Sequence, residues 1–309
     1  MTARLSAHCQ GPFGAPLFLI PRVAAGPILI RFDAALPRGL QHINGESSMD
    51  LGISGKTALV FGGSRGMGRA CALQLAREGV AVTIAARNPQ TLEQAAAEIS
   101  KETGIGVGWV SADLTQAQGR DAALAACPHP DILINNADGP LPGDFRDWSR
   151  DDWIAALDAM MLGPIDMIRR VVDGMVERRF GRIVNIVSRS VKAPHAEVGL
   201  SNGARSGLIG FVGGLARQTV RHNVTINNLL PGAFATDAQV RHIQGMLDEA
   251  GGGKTFEQLW DERARANPAG RYGQPEEVGA LCAYLCSAQA GYMTAQSVLI
   301  DGGGYPGTY

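Results

Sequence analysis

The sequence predicts a single α/β domain: a parallel sheet wound on both faces by helices. Three observations carry that prediction. From residue 50 onward, short apolar runs alternate with segments of helical period, the order of elements in a doubly wound sheet. The first strand, Thr57–Phe61, runs into a turn holding Gly62, Gly66 and Gly68. A helical stretch, Arg69–Glu78, and a second buried strand, Val80–Ala86, follow. This is a βαβ unit with a glycine-rich first turn, which lets bare backbone approach a pyrophosphate and aims a helix N-terminus at its charge. Finally, no second domain and no internal repeat is visible in the 309 residues.

The remaining elements are read in order. Residues 1–48 differ from the rest, because Pro12, Pro16, Pro21, Pro27 and Pro37 interrupt every apolar run. The most apolar stretch, 16–30, contains Arg22 and is too broken for a membrane span or a signal peptide. This segment is expected to be a disordered extension, or translation upstream of a true start at Met49, with the domain at 49–309. After the first βαβ unit, a helix is expected over Pro89–Glu102, with Leu92, Ala95, Ala96 and Ile99 on one face. A third strand near Gly106–Val110, a helix over Gln116–Ala126 and a fourth strand, Asp131–Asn135, come next. Ser149 is suited to cap a long helix, Arg150–Arg178, with Asp151 and Asp152 in its first turn. Strand Arg182–Val187, helix Gly199–Arg221 and strand Val224–Leu229 continue the alternation. A polar, helix-prone segment, 237–266, reads as a lid; helix Pro275–Ser287 and strand Ser297–Ile300 close the fold.

A formal net charge of −1 gives no footprint for nucleic acid or an anionic membrane. The five cysteines are scattered, which suits free thiols in a reducing, cytoplasmic compartment. Cys282 and Cys286 have no companion ligands and read as core residues, so no metal is expected.

Arg87 follows the second strand about twenty residues after the glycines, where an adenosine ribose is read. An acid there would bind the ribose hydroxyls of NAD(H). This chain instead has Ala86-Arg87, with Arg65 inside the turn. Two guanidinium groups suit a 2′-phosphate, hence NADP(H) rather than NAD(H).

The turn Gly62-x-x-x-Gly66-x-Gly68 resembles that of the short-chain dehydrogenase/reductase family, Thr-Gly-x-x-x-Gly-x-Gly, with Phe61 at the Thr position. Asn135-Asn-Ala-Asp138 is similar to the family's Asn-Asn-Ala-Gly, with Asp138 replacing the glycine. Pro231-Gly-Ala-Phe-Ala-Thr236, Arg271-Tyr-Gly-Gln-Pro-Glu-Glu277 and Asp301-Gly-Gly303 match later family signatures, so the resemblance covers about residues 50–305. It implies a Rossmann-type single domain and a homodimer or homotetramer paired through the two long helices. It also implies a cofactor site at Gly62, Ser64, Arg65, Gly66, Met67, Gly68, Arg87, Asp113, Leu114, Asn136, Ala137, Arg205, Pro231, Gly232 and Thr236. Asp113 matches the residue that holds the adenine; as an N-cap for the next helix it has a second reading, and both can hold.

The catalytic positions depart from the family's Ser, Tyr thirteen residues later, Lys four after that, and Asn. Aligning Gly207-Leu-Ile-Gly-Phe211 puts Ser201 at the Tyr, Arg205 at the Lys and Ser188 at the Ser; Met160 stands at the Asn. A Ser hydroxyl is a far weaker acid than a phenol beside an ammonium, and Arg205 stays protonated. Arg205 is expected to bind the nicotinamide ribose and to stabilise an oxyanion. Arg189, Lys192 and His195 follow the fifth strand, and His195 is the candidate proton carrier. Dienoyl-CoA reductases of the family also carry Ser in place of the Tyr but retain the Lys, so the parallel is partial, and Ser201-Asn-x-x-Arg205 resembles the pattern of some 3-oxoacyl-carrier-protein reductase-like proteins. The expected function is an NADP(H)-dependent oxidoreductase acting on a carbonyl or hydroxyl of a small-molecule or acyl-thioester substrate, with an altered proton-transfer site. The alternatives are reduction of a conjugated C=C bond and a catalytically silent NADP(H)-binding sensor or partner.

Overall fold

Seven strands form one parallel sheet: β1 (Thr57–Phe61), β2 (Ala81–Ala86), β3 (Gly108–Ser111), β4 (Ile132–Asn136), β5 (Gly181–Ile186), β6 (Val224–Pro231) and β7 (Ser297–Ile300). Their order is β3-β2-β1-β4-β5-β6-β7, so the chain reverses direction across the sheet between β1 and β4. In such sheets a crevice opens at that reversal, beyond the carboxyl ends of the strands. This computed structural model describes residues 49–250 and 253–308; the expectation for 1–48 lies outside the described residues.

Alternation along the strands builds a core on each face. On β1, Ala58 and Val60 point to one core, shared with Val82, Ile84, Ile132 and Ile134. Leu59 and Phe61 point to the other, shared with Leu133, Ile183 and Ile226. Helices α1 (Gly66–Arg77), α2 (Pro89–Thr103) and α9 (Pro275–Cys286) bury their apolar stripes in the first core; α3 (Ala117–Ala126), α5 (Gly163–Glu177) and α6 (Gly199–Thr219) bury theirs in the second. Burial on both faces explains why the central strands β1, β4, β5 and β6 read as continuous apolar runs. The central strands are also tied by buried amides. Asn135 Nδ2 donates to Asn185 Oδ1 (2.9 Å), Asn185 Nδ2 to Asn228 Oδ1 (3.0 Å) and Asn228 Nδ2 to Ser297 Oγ (3.2 Å).

The long helix expected over 150–178 is interrupted. It comprises α4 (Arg150–Leu157), a π turn (Asp158–Leu162) and then α5. Pro164 gives the reason, since it has no N–H for the carbonyl of Met160 and its ring crowds that carbonyl. Ser149 caps α4 as expected, in a reciprocal box with Asp152. The segment 237–266 folds as α7 (Asp237–Ala250) and α8 (Phe256–Ala266), the latter started by a Thr255–Gln258 capping box. Cys71, Cys282 and Cys286 are fully buried beside α1 and α9, and no metal-holding group occurs among the described residues. No helix among them is long and apolar enough to cross a membrane.

Candidate active site

At the carboxyl end of β1 the backbone turns with Gly62 at φ 64°, where a Cβ would stand 2.5 Å from Asn136 Nδ2. A Cβ on Gly68 would press on the carbonyl oxygen of Gly62. Only glycine allows this closeness. The turn delivers the first amides of α1 to a cleft, and no side chain among the described residues caps them. Arg65, at the N-cap, offers no side-chain acceptor, and no acid stands in the first turn. An uncapped helix N-terminus is a ready anion site.

The cleft has a volume of about 530 Å³ and lies over the ends of β1, β2 and β4. Gly62, Ser64, Arg65, Gly66, Met67, Arg87, Asp113, Leu114, Asn136, Ala137 and Thr236 line it, as expected of a dinucleotide site. Gly68, Pro231 and Gly232 do not. Gly68 shapes the turn, and a Cβ on Gly232 would lie 2.7 Å from Asp301 Cβ, so that glycine fits the end of β6 against the chain after β7. Asp113 does not cap α3. Its Oδ1 accepts from Thr115 N (2.9 Å) and Thr115 Oγ1 (2.8 Å), closing a turn ahead of Gln116 at the helix N-cap. Arg65 lies 3.7 Å from Asp237 and Arg87 lies 4.0 Å from Asp138, all four side chains well exposed. Such pairs are weak and leave the guanidinium groups available. The uncapped amides fit a pyrophosphate, and the two arginines, with no acid at the end of β2, fit a 2′-phosphate.

The sequence reading missed Arg241. It stands on α7, one turn after Asp237, and brings a third guanidinium to this cleft. Its signal was there in the spacing Thr236-Asp237-x-x-x-Arg241, but needed α7 to start directly at Thr236.

A second cleft of about 610 Å³ adjoins the first and shares Arg87, Asp138 and Arg241 with it. Small and apolar residues dominate its walls, from the loop after β4, from α4 and from the start of α6. The expected catalytic positions lie behind this wall. A Cβ built on Gly139 would be 3.5 Å from Met160 Sδ and 3.8 Å from both Ser201 Oγ and Arg205 Nη2. Met160, on the π turn, is buried with Ala156, Leu200 and Ala204, so the family's Asn position is filled by an apolar plug. Ser188 Oγ accepts from Ser190 N (3.1 Å) and pairs with Ser190 Oγ (2.9 Å).

Arg205 is a brace. Its Nε donates to Ser201 Oγ (3.0 Å), Nη1 to the carbonyls of Ile186 (3.0 Å) and Val187 (2.9 Å), and Nη2 to that of Ala137 (3.0 Å). The guanidinium thus joins the ends of β4 and β5 to α6 and keeps one of its five N–H groups for anything else. Burial pushes it down to about 10, against the pull of the Asp138 carboxylate, so it remains a cation near neutrality. Arg205 is not among the residues that line the cofactor cleft, and four of its five N–H groups are taken by these bonds.

The loop after β5 turns its cations elsewhere. Arg189 packs on Gly304, and Lys192 Nζ stands 5.7 Å above the Tyr305 ring. His195 is exposed and lines neither cleft; its carbonyl accepts from Asn202 Nδ2 (2.9 Å). The imidazole that does line the second cleft belongs to His242 on α7.

Comparison with known proteins agrees with this geometry. The family model described as enoyl-(acyl carrier protein) reductase matches residues 62–304. The NADPH-dependent reductase BacG of Bacillus subtilis is 31% identical over 256 residues, covering 81% of this chain and 98% of BacG. The 3-oxoacyl-[acyl-carrier-protein] reductase FabG of Aquifex aeolicus is 32% identical, covering 82% of this chain and 99% of FabG. The crystal structure of L-sorbose reductase from Gluconobacter frateurii, complexed with NADPH and L-sorbose, superposes with a TM-score of 0.78 at 27% identity, over 84% of this chain and 100% of that one. The glycine turn, the sheet order and these matches together place the chain in the short-chain dehydrogenase/reductase family.

Proposed function

We propose that the protein is an NADP(H)-dependent oxidoreductase that moves a hydride between nicotinamide and the carbonyl or hydroxyl carbon of its substrate. One observation carries the reading: an uncapped α1 N-terminus flanked by Arg65 and Arg87, with no acid at the end of β2. BacG, FabG and the NADPH complex of L-sorbose reductase support it. NADPH, when bound, supplies the hydride. The amides after Gly62 would hold the pyrophosphate, and Arg65 and Arg87 would hold the 2′-phosphate. Ser188 and Ser201 stand at the family's substrate-oxygen positions by alignment and line neither cleft, so their hydroxyls would reach a substrate oxygen only if the wall at Gly139 shifts, with the Arg205 cation bonded to Ser201. Met160 and Leu200 exclude water from the wall beside them.

A second reading, reduction of a C=C bond conjugated to a carbonyl, is favoured by one observation. Ser201, Met160 and Arg205 offer no group that trades a proton near neutrality, so the phenol-and-ammonium relay of carbonyl reduction has no counterpart at these positions. We assign the chain to the cytoplasm, where its buried thiols stay reduced, and to a homodimer or homotetramer. Trp153, Ile154, Leu162 and Phe211 are exposed on α4, the π turn and α6, the elements that pair subunits by family resemblance. A monomer in light scattering at micromolar concentration would refute the assembly.

The functional test is NADPH and NADH binding by fluorescence titration, followed by NADPH oxidation against ketones, enones and enoyl thioesters. NADPH is expected to bind at least about tenfold more tightly than NADH, a preference that Arg87→Ala reduces. Equal affinities refute the cofactor assignment. Tight NADPH binding without turnover on any substrate of the panel would make the protein a sensor or partner.

A further inference from the structure

The second cleft carries an imbalance of charge. Its walls include Pro140, Leu141, Ala155, Ala156, Val198 and Leu200, none of which holds a charged group. Two carboxylates line it as well, and both are engaged. Asp152 Oδ2 accepts from Ser149 N (2.8 Å) and Ser149 Oγ (2.6 Å) at the start of α4, and those bonds hold its carboxyl below the usual range. Asp138 faces Arg87 at 4.0 Å. His242 has an interaction within the protein. Among the described residues, no carboxylate oxygen lies within 4.0 Å of the Arg241 guanidinium. Asp237, one turn earlier on α7, is directed at Arg65 instead. The cleft therefore has an apolar body and one uncompensated cation, on the helix that covers the seam with the cofactor cleft.

We infer that Arg241 receives a carboxylate of the substrate, whose compact apolar portion lies against the walls formed by α4, the loop after β4 and the start of α6. The inference rests on the NADP(H)-dependent reading and names the substrate class: small acids with an apolar body. A planar guanidinium fork matches a carboxylate with two parallel N–H···O bonds. The dinucleotide's phosphates are the other possible source of an anion, because Arg241 also lines the first cleft. That cleft already has Arg65 in the glycine turn and Arg87 at the end of β2, whereas in the second cleft Arg241 alone is unpaired by a carboxylate among its lining cations Arg87 and Arg241. Asp138 is the group that opposes an acid here. Its pairing with Arg87 limits that repulsion.

The experiment is calorimetric titration of the full chain, with and without saturating NADP+, by 2-oxohexanoate and by 2-hexanone. These share a chain and a carbonyl and differ by carboxylate against methyl. The expected result is 2-oxohexanoate bound at least about tenfold more tightly, a ratio that falls to near one in Arg241→Ala and Arg241→Gln and partly survives in Arg241→Lys. NADPH affinity is expected to fall by less than the affinity for the acid in each variant, and melting temperatures to stay unchanged, because Arg241 is exposed. A ratio near one in the unaltered chain, a ratio that survives Arg241→Ala, or no saturable binding of 2-oxohexanoate up to about 10 mM overturns the inference. Loss of NADPH affinity equal to the loss for the acid gives Arg241 to the cofactor and also overturns it. Failure of the unaltered chain to bind NADPH is a separate result: it removes the oxidoreductase reading, while the comparison without cofactor still decides the acid.

Discussion

Replacing Arg205 by alanine is expected to damage the fold before it damages cofactor binding. The guanidinium serves the carbonyls of Ala137, Ile186 and Val187 and the hydroxyl of Ser201. Alanine leaves all three carbonyls without that donor, and Ile186 and Val187 belong to the core. A buried polar group without a partner costs about 1–3 kcal/mol, offset here by no longer burying a cation. With three neutral carbonyls losing a donor and that offset set against them, the net loss expected is about 2–4 kcal/mol. At about 2–4 °C per kcal/mol for a domain of this size, the melting temperature falls by roughly 10 °C. Lysine has three donors instead of five, so Arg205→Lys retains part of the brace and loses about half as much. Thermal and urea unfolding followed by circular dichroism, with NADPH affinity measured alongside, make the test. A melting temperature within about 2 °C of the parent together with a tenfold loss of NADPH affinity would refute the brace and restore Arg205 as a cofactor ligand.

Asn185→Leu breaks two bonds of the amide chain and strands Asn135 Nδ2 and Asn228 Oδ1 in the core. A loss of about 2–4 kcal/mol in urea unfolding is expected, and one under about 0.5 kcal/mol would show the chain to be idle. Asp138→Asn releases Arg87 from its exposed partner and is expected to tighten NADPH binding by no more than about fivefold, while weaker binding would show that the carboxylate itself contacts the cofactor. Glu277 accepts from Arg271 at 2.7 and 2.8 Å, and that pairing lowers its carboxyl to about 2 from an ordinary 4.5. Its contribution is fully present above pH 4.5 and lost as pH falls toward 2, so Glu277→Gln should flatten acid destabilisation in that window by under about 1 kcal/mol. Equal acid slopes for parent and variant would refute it.

The centre of the sheet was legible because its strands are buried on both faces, so apolar runs such as Thr57–Phe61 and Val224–Leu229 have one reading. The cofactor cleft was legible because close backbone approach demands glycine at Gly62 and Gly68, whatever the rest of the chain does. The catalytic positions were legible as an alignment but not as chemistry. That Ser201 and Arg205 lie four apart on a helix says they meet. It does not say that the carbonyls of β4 and β5 converge on the same guanidinium, since those partners come from 18, 19 and 68 residues away. The π turn escaped because Pro164 was read inside a continuous periodic stretch, when its missing N–H was the sign of a break. Arg241 escaped because a polar helix shows which face is solvated only once its neighbours are known.

The same distance between alignment and space decides which imidazole matters. His195 follows β5, where short-chain dehydrogenases gather substrate groups, yet it is exposed and lines neither cleft. His242 stands next to Arg241 on α7 and lines the second cleft with Arg87, Asp138 and Asp152. Imidazole is the side chain whose charge changes near neutrality, and its cationic form adds to the positive field of Arg241 while Asp138 and Asp152 temper it. For a substrate acid, the cationic form of His242 should therefore favour binding over the neutral form, which appears in the pH dependence of KM or Kd. His242→Gln is expected to remove that dependence and His195→Ala to preserve it, both measured with 2-oxohexanoate at constant ionic strength. Loss of the inflection in His195→Ala, with His242→Gln unchanged, would bring the loop after β5 into the site and displace α7 as the source of its charge.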